Sequence, residues 1–114
     1  MNQKEAIEGT IEHWKRMIAW VEKQDPKWRV DETYMRREIG EEWRDEDCPL
    51  CTFTGNVRLH CKICPLGVRY GRCSYNTPKN KKNKWIKVQY SHTWGEWLEN
   101  AREFLKQIES LLED

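Results

Sequence analysis

No run of this chain approaches the roughly 18 consecutive apolar residues of a membrane-spanning helix, and mean hydropathy is low, at -0.99. The first residues, Met1-Asn2-Gln3-Lys4-Glu5, carry no apolar export core, so a cytoplasmic protein is expected. Catalytic signatures are missing as well. None of the three histidines (His13, His60, His92) is followed two residues later by Glu, which removes the zinc-deaminase pattern. Neither H-E-x-x-H nor a glycine-rich phosphate loop occurs, and the histidines form no recognisable triad with Ser or Cys. The expectation is a protein that is not an enzyme.

The most informative absence is local. Residues 48–92 contain no Asp or Glu at all, against 9 Lys and Arg. Spreading the chain's 19 acidic residues evenly over 114 positions would put roughly seven there. The flanks are the reverse: residues 1–47 carry 9 basic and 13 acidic side chains, and residues 93–114 carry 2 and 6. The whole therefore sums to only +1. At 114 residues there is room for a single compact domain, 1–114.

What is present is sulfur and tryptophan. Five cysteines in a chain without an expected export signal argue for a reducing compartment and metal ligation over disulfides. Cys48-Pro49-Leu50-Cys51 and Cys61-Lys62-Ile63-Cys64 are two C-x2-C pairs separated by nine residues. Two-residue spacing lets both thiolates of a tight turn face one ion, and Gly55-Asn56 offers the return that brings the second pair to close a tetrahedron. One structural zinc ion is the expected cofactor, held by Cys48, Cys51, Cys61 and Cys64, with Cys73 as the substitute ligand and His60 as a neighbour. Reduced, unligated thiols and an iron–sulfur cluster are the alternatives; Pro65 follows Cys64, but the ferredoxin spacing is lacking. A four-thiolate site is closed to water, so it would stabilise a fold and perform no chemistry.

Helical periodicity brackets this module. Ile7, Ile11, Trp14, Ile18 and Val21 form a stripe, with Asn2 and Glu5 as a cap pair and Asp25-Pro26 as the stop, predicting a helix within 1–25. Trp94, Leu98, Ala101, Leu105, Ile108 and Leu112 form another over 93–113, widened by Trp97, Phe104 and Leu111 and opened by the capping box Thr93-Trp94-Gly95-Glu96. Val30 to Thr33 starts a weaker helical pattern carrying Tyr34, Met35, Ile39 and Trp43. Alternation in Trp85-Ile86-Lys87-Val88-Gln89-Tyr90 suggests a strand within the basic stretch 79–92. The predicted fold is mainly α, with N- and C-terminal amphipathic helices packed together around a zinc-knuckle or ribbon insertion at 48–78.

The order C-x2-C, C-x2-C-P, Cys73, Thr77-Pro78, then the helix from Trp94, resembles a loose group of small phage and prophage proteins. The likeness covers a little over half the chain. Lys79 stands where that group tends to carry an aromatic. The resemblance implies a phage context, host cytoplasm and a binding role, with no catalytic residue to carry over.

Three uses fit the basic segment. It can neutralise the protein's own acidic helices. It can hold phosphates through Arg58, Arg69, Arg72, Lys79, Lys81, Lys82, Lys84 and Lys87, with Tyr70, Tyr75 and Trp85 as stacking rings. It can engage a host or defence-system macromolecule, or an anionic nucleotide, through Arg69, Arg72, Lys79, Lys81, Lys82, Lys84 and Trp85. Stoichiometric contact with such a host component is the leading expectation, and a DNA- or RNA-binding regulator is the alternative. Trp20, off the first stripe, is either a contact residue or part of a second core face.

Overall fold

The structure, a computed structural model, describes residues 2–43 and 84–113. Helix α1, Gln3–Val21, begins as its cap pair predicts. The Glu5 amide donates to Asn2 Oδ1 at 2.8 Å, and Asn2 Nδ2 donates to Glu5 Oε1 at 3.0 Å. Every residue of the predicted stripe is buried, and Ala6, Thr10, His13 and Met17 are buried beside it. The helix stops at Val21, earlier than the Asp25-Pro26 boundary. Lys23 and Gln24 turn back with bonds to the Trp20 and Val21 carbonyls.

Helix α2, Glu32–Ile39, is capped by Asp31, whose side chain accepts from the Tyr34 amide. It ends at Gly40, whose φ of 71° is the left-handed conformation that favours glycine after a helix. Met35 is its buried contact with the core, and Trp43 follows in an irregular segment.

The predicted strand at 85–90 is corrected: Trp85–Gln89 forms a short helix, α3. Trp85 and Val88, three residues apart, are both buried, while Lys87, Gln89 and Tyr90 are exposed. A strand would have put Trp85 and Val88 on opposite faces; one helical turn buries them together. Among the described residues, β pairing is confined to one isolated antiparallel bridge, Arg29 to Thr93.

Helix α4, Trp94–Ser110, runs into a 3-10 turn at Leu111–Glu113. All four of its first-turn amides have acceptors, answering the donors that a helix start leaves open. Trp94 donates to the Trp28 carbonyl, Gly95 to the Pro26 carbonyl, Trp97 to the Thr93 carbonyl and Glu96 to Thr93 Oγ1. The Glu96 carboxylate reaches back to the His92 amide. A Cβ on Gly95 would lie 3.2 Å from both the Pro26 Cβ and its carbonyl oxygen, so a side chain here would have to push Pro26 back by a few tenths of an ångström.

Helices α1 and α4 pack together as predicted, with α3 against a further side of α4. Their seam is aromatic. Trp14 stacks on Trp97 at 5.9 Å and meets Phe104 edge-on at 4.8 Å. Trp43 and Trp94 both contact Trp97, and Trp20 meets Trp94 and Tyr34 edge-on. Trp20 therefore belongs to a second core face. Such rings bury roughly 150–250 Å² apiece, so few residues carry the core.

The α4 stripe is rotated from its predicted centre. Trp97, Phe104 and Leu111 are buried, Leu98 and Leu105 are half-buried, and Leu112 is 42% exposed. The rotation arises because α4 packs on α1 and α3 at once, which moves the middle of its buried arc.

Candidate functional site

Cys48, Cys51, Cys61, Cys64 and Cys73 lie outside the described residues, as do His60, Arg69, Arg72, Lys79, Lys81 and Lys82. Among the described residues, no group of three or more His, Cys, Asp or Glu is placed to hold a metal ion. What the structure does describe is where the intervening segment 44–83 joins the helical scaffold.

The described residues on either side of it are fastened together. The Trp85 indole donates to the Trp43 carbonyl at 3.1 Å, and both rings are buried. Next to it the Lys84 amide donates to Gln107 Oε1 at 3.0 Å, and Lys84 Nζ lies 3.8 Å from Glu103 of α4. These facts correct one expectation. Trp85 was predicted as an exposed contact or stacking ring, but its two-ring bulk fills the core beside Trp43. Lys84 is half-buried against α4.

Two carboxylates before Trp43 tie this junction to the helices. Glu41 accepts from Arg16 in a bidentate pair, Nε to Oε2 at 2.8 Å and Nη2 to Oε1 at 2.6 Å. His13 Nδ1 lies 2.9 Å from Glu41 Oε1, which makes it the donor to this carboxylate. The Arg16 hydrogen bonds hold the Glu41 carboxyl below its ordinary range; burial opposes this, and the His13 contact adds to it. Arg16 is correspondingly raised, chiefly by its bond to Glu41. Glu42, fully buried, accepts from Arg36 at 3.0 Å. His13 Nε2 and Trp97 Nε1 are buried and, among the described residues, have no hydrogen-bond partner.

Sequence reasoning missed this His13–Arg16–Glu41 group because it joins positions 25 and 28 residues apart. It also missed which aromatics face solvent. Trp28 is 57% exposed and Tyr90 is 62% exposed, whereas the other six tryptophans are buried or half-buried. A signal for Trp28 was available, since it lies between Lys27 and Arg29, just after Pro26 and off both helical stripes.

Comparison with protein-family models, curated proteins and solved structures finds no match. No described helix is long and apolar enough to cross a membrane.

Proposed function

We propose that this is a non-enzymatic binding protein: a helical scaffold that presents a zinc-stapled, basic segment to a host or defence macromolecule. In this reading Cys48, Cys51, Cys61 and Cys64, or Cys73 in place of one of them, hold a single structural zinc ion. The chain would be phage-encoded and would act by stoichiometric contact in the host cytoplasm. The observation that carries the reading is the partition of charge: nine cations and no carboxylate over residues 48–92, between two acidic flanks. The hydrogen bond from Trp85 to Trp43 supports it, because it brings the two points where the scaffold meets the intervening segment together.

The test uses the full chain and a Lys81/Lys82/Lys84→Ala variant. Exposed ion pairs contribute only about 0–1 kcal/mol, so the Lys84–Glu103 contact adds little and the variant should melt within a few degrees of wild type. It should nevertheless lose the 1:1 complex that wild type forms in nuclease-treated host extract and keeps through gel filtration. An early melt with the complex intact would mean that these lysines serve only to balance the acidic helices.

Nucleic acid is the second reading, favoured by one observation. Trp28, 57% exposed, sits between Lys27 and Arg29, and Tyr90 is exposed two residues before His92, whose carbonyl accepts from the Val30 amide.

A further inference from the structure

Helix α4 leaves one edge incompletely covered. Leu98, Leu105 and Leu112 recur every seven residues, so they share one side of the helix and the turn that continues it. Leu98 and Leu105 are half-buried against the core. Leu112, 42% exposed, is the one large aliphatic side chain that is exposed among the described residues. It joins Ile7 and Ile11 in lining a groove between α1 and the end of α4.

Both banks of this groove carry charge that the fold leaves largely unused. Lys4, Glu8, Glu12 and Lys15 of α1 all line it, and all are exposed. On α4, Arg102 and Glu109 stand four residues after Leu98 and Leu105, beside the leucine edge, with Glu99 and Lys106 beyond them. Arg102 pairs with Glu22 at 2.9 Å, an exposed contact and therefore a weak one. The other seven are in no ion pair or side-chain hydrogen bond among the described residues. Glu8 with Glu12, and Arg102 with Lys106, even repel at four-residue spacing within their own helices.

The two banks are complementary in order. Lys4, Glu8, Glu12 and Lys15 run positive, negative, negative, positive along α1. Glu109, Lys106, Arg102 and Glu99 run negative, positive, positive, negative back along α4. The two helices are antiparallel, with Trp20 against Trp94, Trp14 against Trp97 and Phe104, and Ile7 near Leu111. A twofold axis parallel to the helices keeps every residue at its own height. It would therefore set α1 of one copy against α4 of the other in that same register. Each α1 charge then falls within about one helical turn, roughly 5.4 Å, of its opposite on the partner's α4.

We propose that two copies of this chain pack groove to groove as a twofold four-helix bundle. The leucine edges meet along the axis, and Lys4–Glu109, Glu8–Lys106, Glu12–Arg102 and Lys15–Glu99 pairs between copies flank them. A partner with charge of one sign fits less well, because each bank carries both signs. Helix α3 does not obstruct the pairing. Its Lys84 and Lys87 meet α4 at Glu103, Gln107 and Asn100, each two residues from a leucine of the edge and so on the other side of the helix. The junction with segment 44–83 thus faces away from the pairing surface in both copies. This inference is independent of the binding-protein reading, and Lys81/Lys82/Lys84→Ala should dimerise as wild type does.

Sedimentation equilibrium of the full chain should give twice the 13.9 kDa chain mass at micromolar concentrations and above. Leu112→Lys should raise the dimer dissociation constant at least about tenfold and leave the far-ultraviolet circular dichroism spectrum unchanged. Glu8→Lys with Glu12→Lys should be monomeric, and so should Arg102→Glu with Lys106→Glu, because like charges then meet across the groove. Mixed in equal amounts, these two double variants should form a heterodimer, since each altered helix now faces its opposite. A wild-type chain that stays monomeric throughout would overturn the proposal. So would a dimer that Leu112→Lys and both charge variants leave intact, or two folded double variants that do not combine on mixing. If a double variant is unfolded, Leu112→Lys decides alone: a folded variant that dimerises like wild type overturns the surface. A monomeric wild type whose complex from host extract is lost in Leu112→Lys would also overturn the second copy and assign the groove to that partner.

Discussion

Glu41 shows how much one side chain can do in a core of few residues. Its carboxylate fastens the segment after α2 to α1 through Arg16 and His13. Because its folded pKa is depressed, its stabilising effect is present above the ordinary carboxylate value of about 4.3 and is lost as pH falls through the lower folded value. Arg16 is more than half exposed, so solvent screening limits the effect to about 1 kcal/mol. Glu41→Gln should therefore be about 1 kcal/mol less stable than wild type at pH 7, and the gap should close as pH falls through the depressed folded value and wild type loses its charge. Urea unfolding at several pH values measures this; a gap that widens in acid would show that the ion pair is not the cause. The pairing was not legible in the sequence. Arg16 and Glu41 are two charges among many, and only the turn at Gly40 brings the second back to the first.

At the scale of elements, caps and stripes were largely readable, because helix starts are decided by neighbours within four residues. Asn2, Asp31 and Thr93 each cap as their spacing to the next amide requires. The centre of the α4 stripe was not readable, because two partners share that helix. Phe104, 2% exposed against Trp14, should cost about 3–5 kcal/mol when replaced by Ala. Leu105, half-buried at the edge, should cost about 1–2 kcal/mol on the same change. Chemical denaturation of the two variants checks this, and equal losses would mean that the stripe was centred where its heptad spacing first placed it. The 85–90 segment failed for a related reason. Six residues with mixed polarity fit both periods, and packing of Trp85 and Val88 onto α4 selects the helical one.

For the whole molecule, the described residues hold one contiguous core from α1 to the 3-10 turn, with all seven tryptophans on the scaffold. The cysteines all fall between residues 48 and 73. Sulfur and tryptophan thus divide the chain, and the proposed metal should matter to one part more than to the other. Elemental analysis should find about one zinc per chain. Chelation should release it, and Cys51→Ser should bind it poorly, while most far-ultraviolet helicity and the near-ultraviolet signal of the packed indoles persist. Iron in place of zinc, or a folded chain with no metal, would end the zinc assignment. Complete loss of both signals on chelation would show that the ion also holds the helical core together.

The sequence by itself determined the two long helices, their caps, the apolar faces that meet and the concentration of positive charge between them. These are properties of short windows: a period of 3.6, a side-chain oxygen three residues from an amide, a count of charges. The tertiary structure decided which rings are core and which are surface. Trp85 and Trp28 each stand beside lysine, and composition cannot separate them. Trp85 lies inward, where its indole donates to the Trp43 carbonyl and keeps its one polar group satisfied in the core. Trp28 stays outside because its own carbonyl is held at the start of α4, fixing its backbone at the surface. Burial of a side chain depends on the space left by elements distant in sequence, and no local pattern records that space.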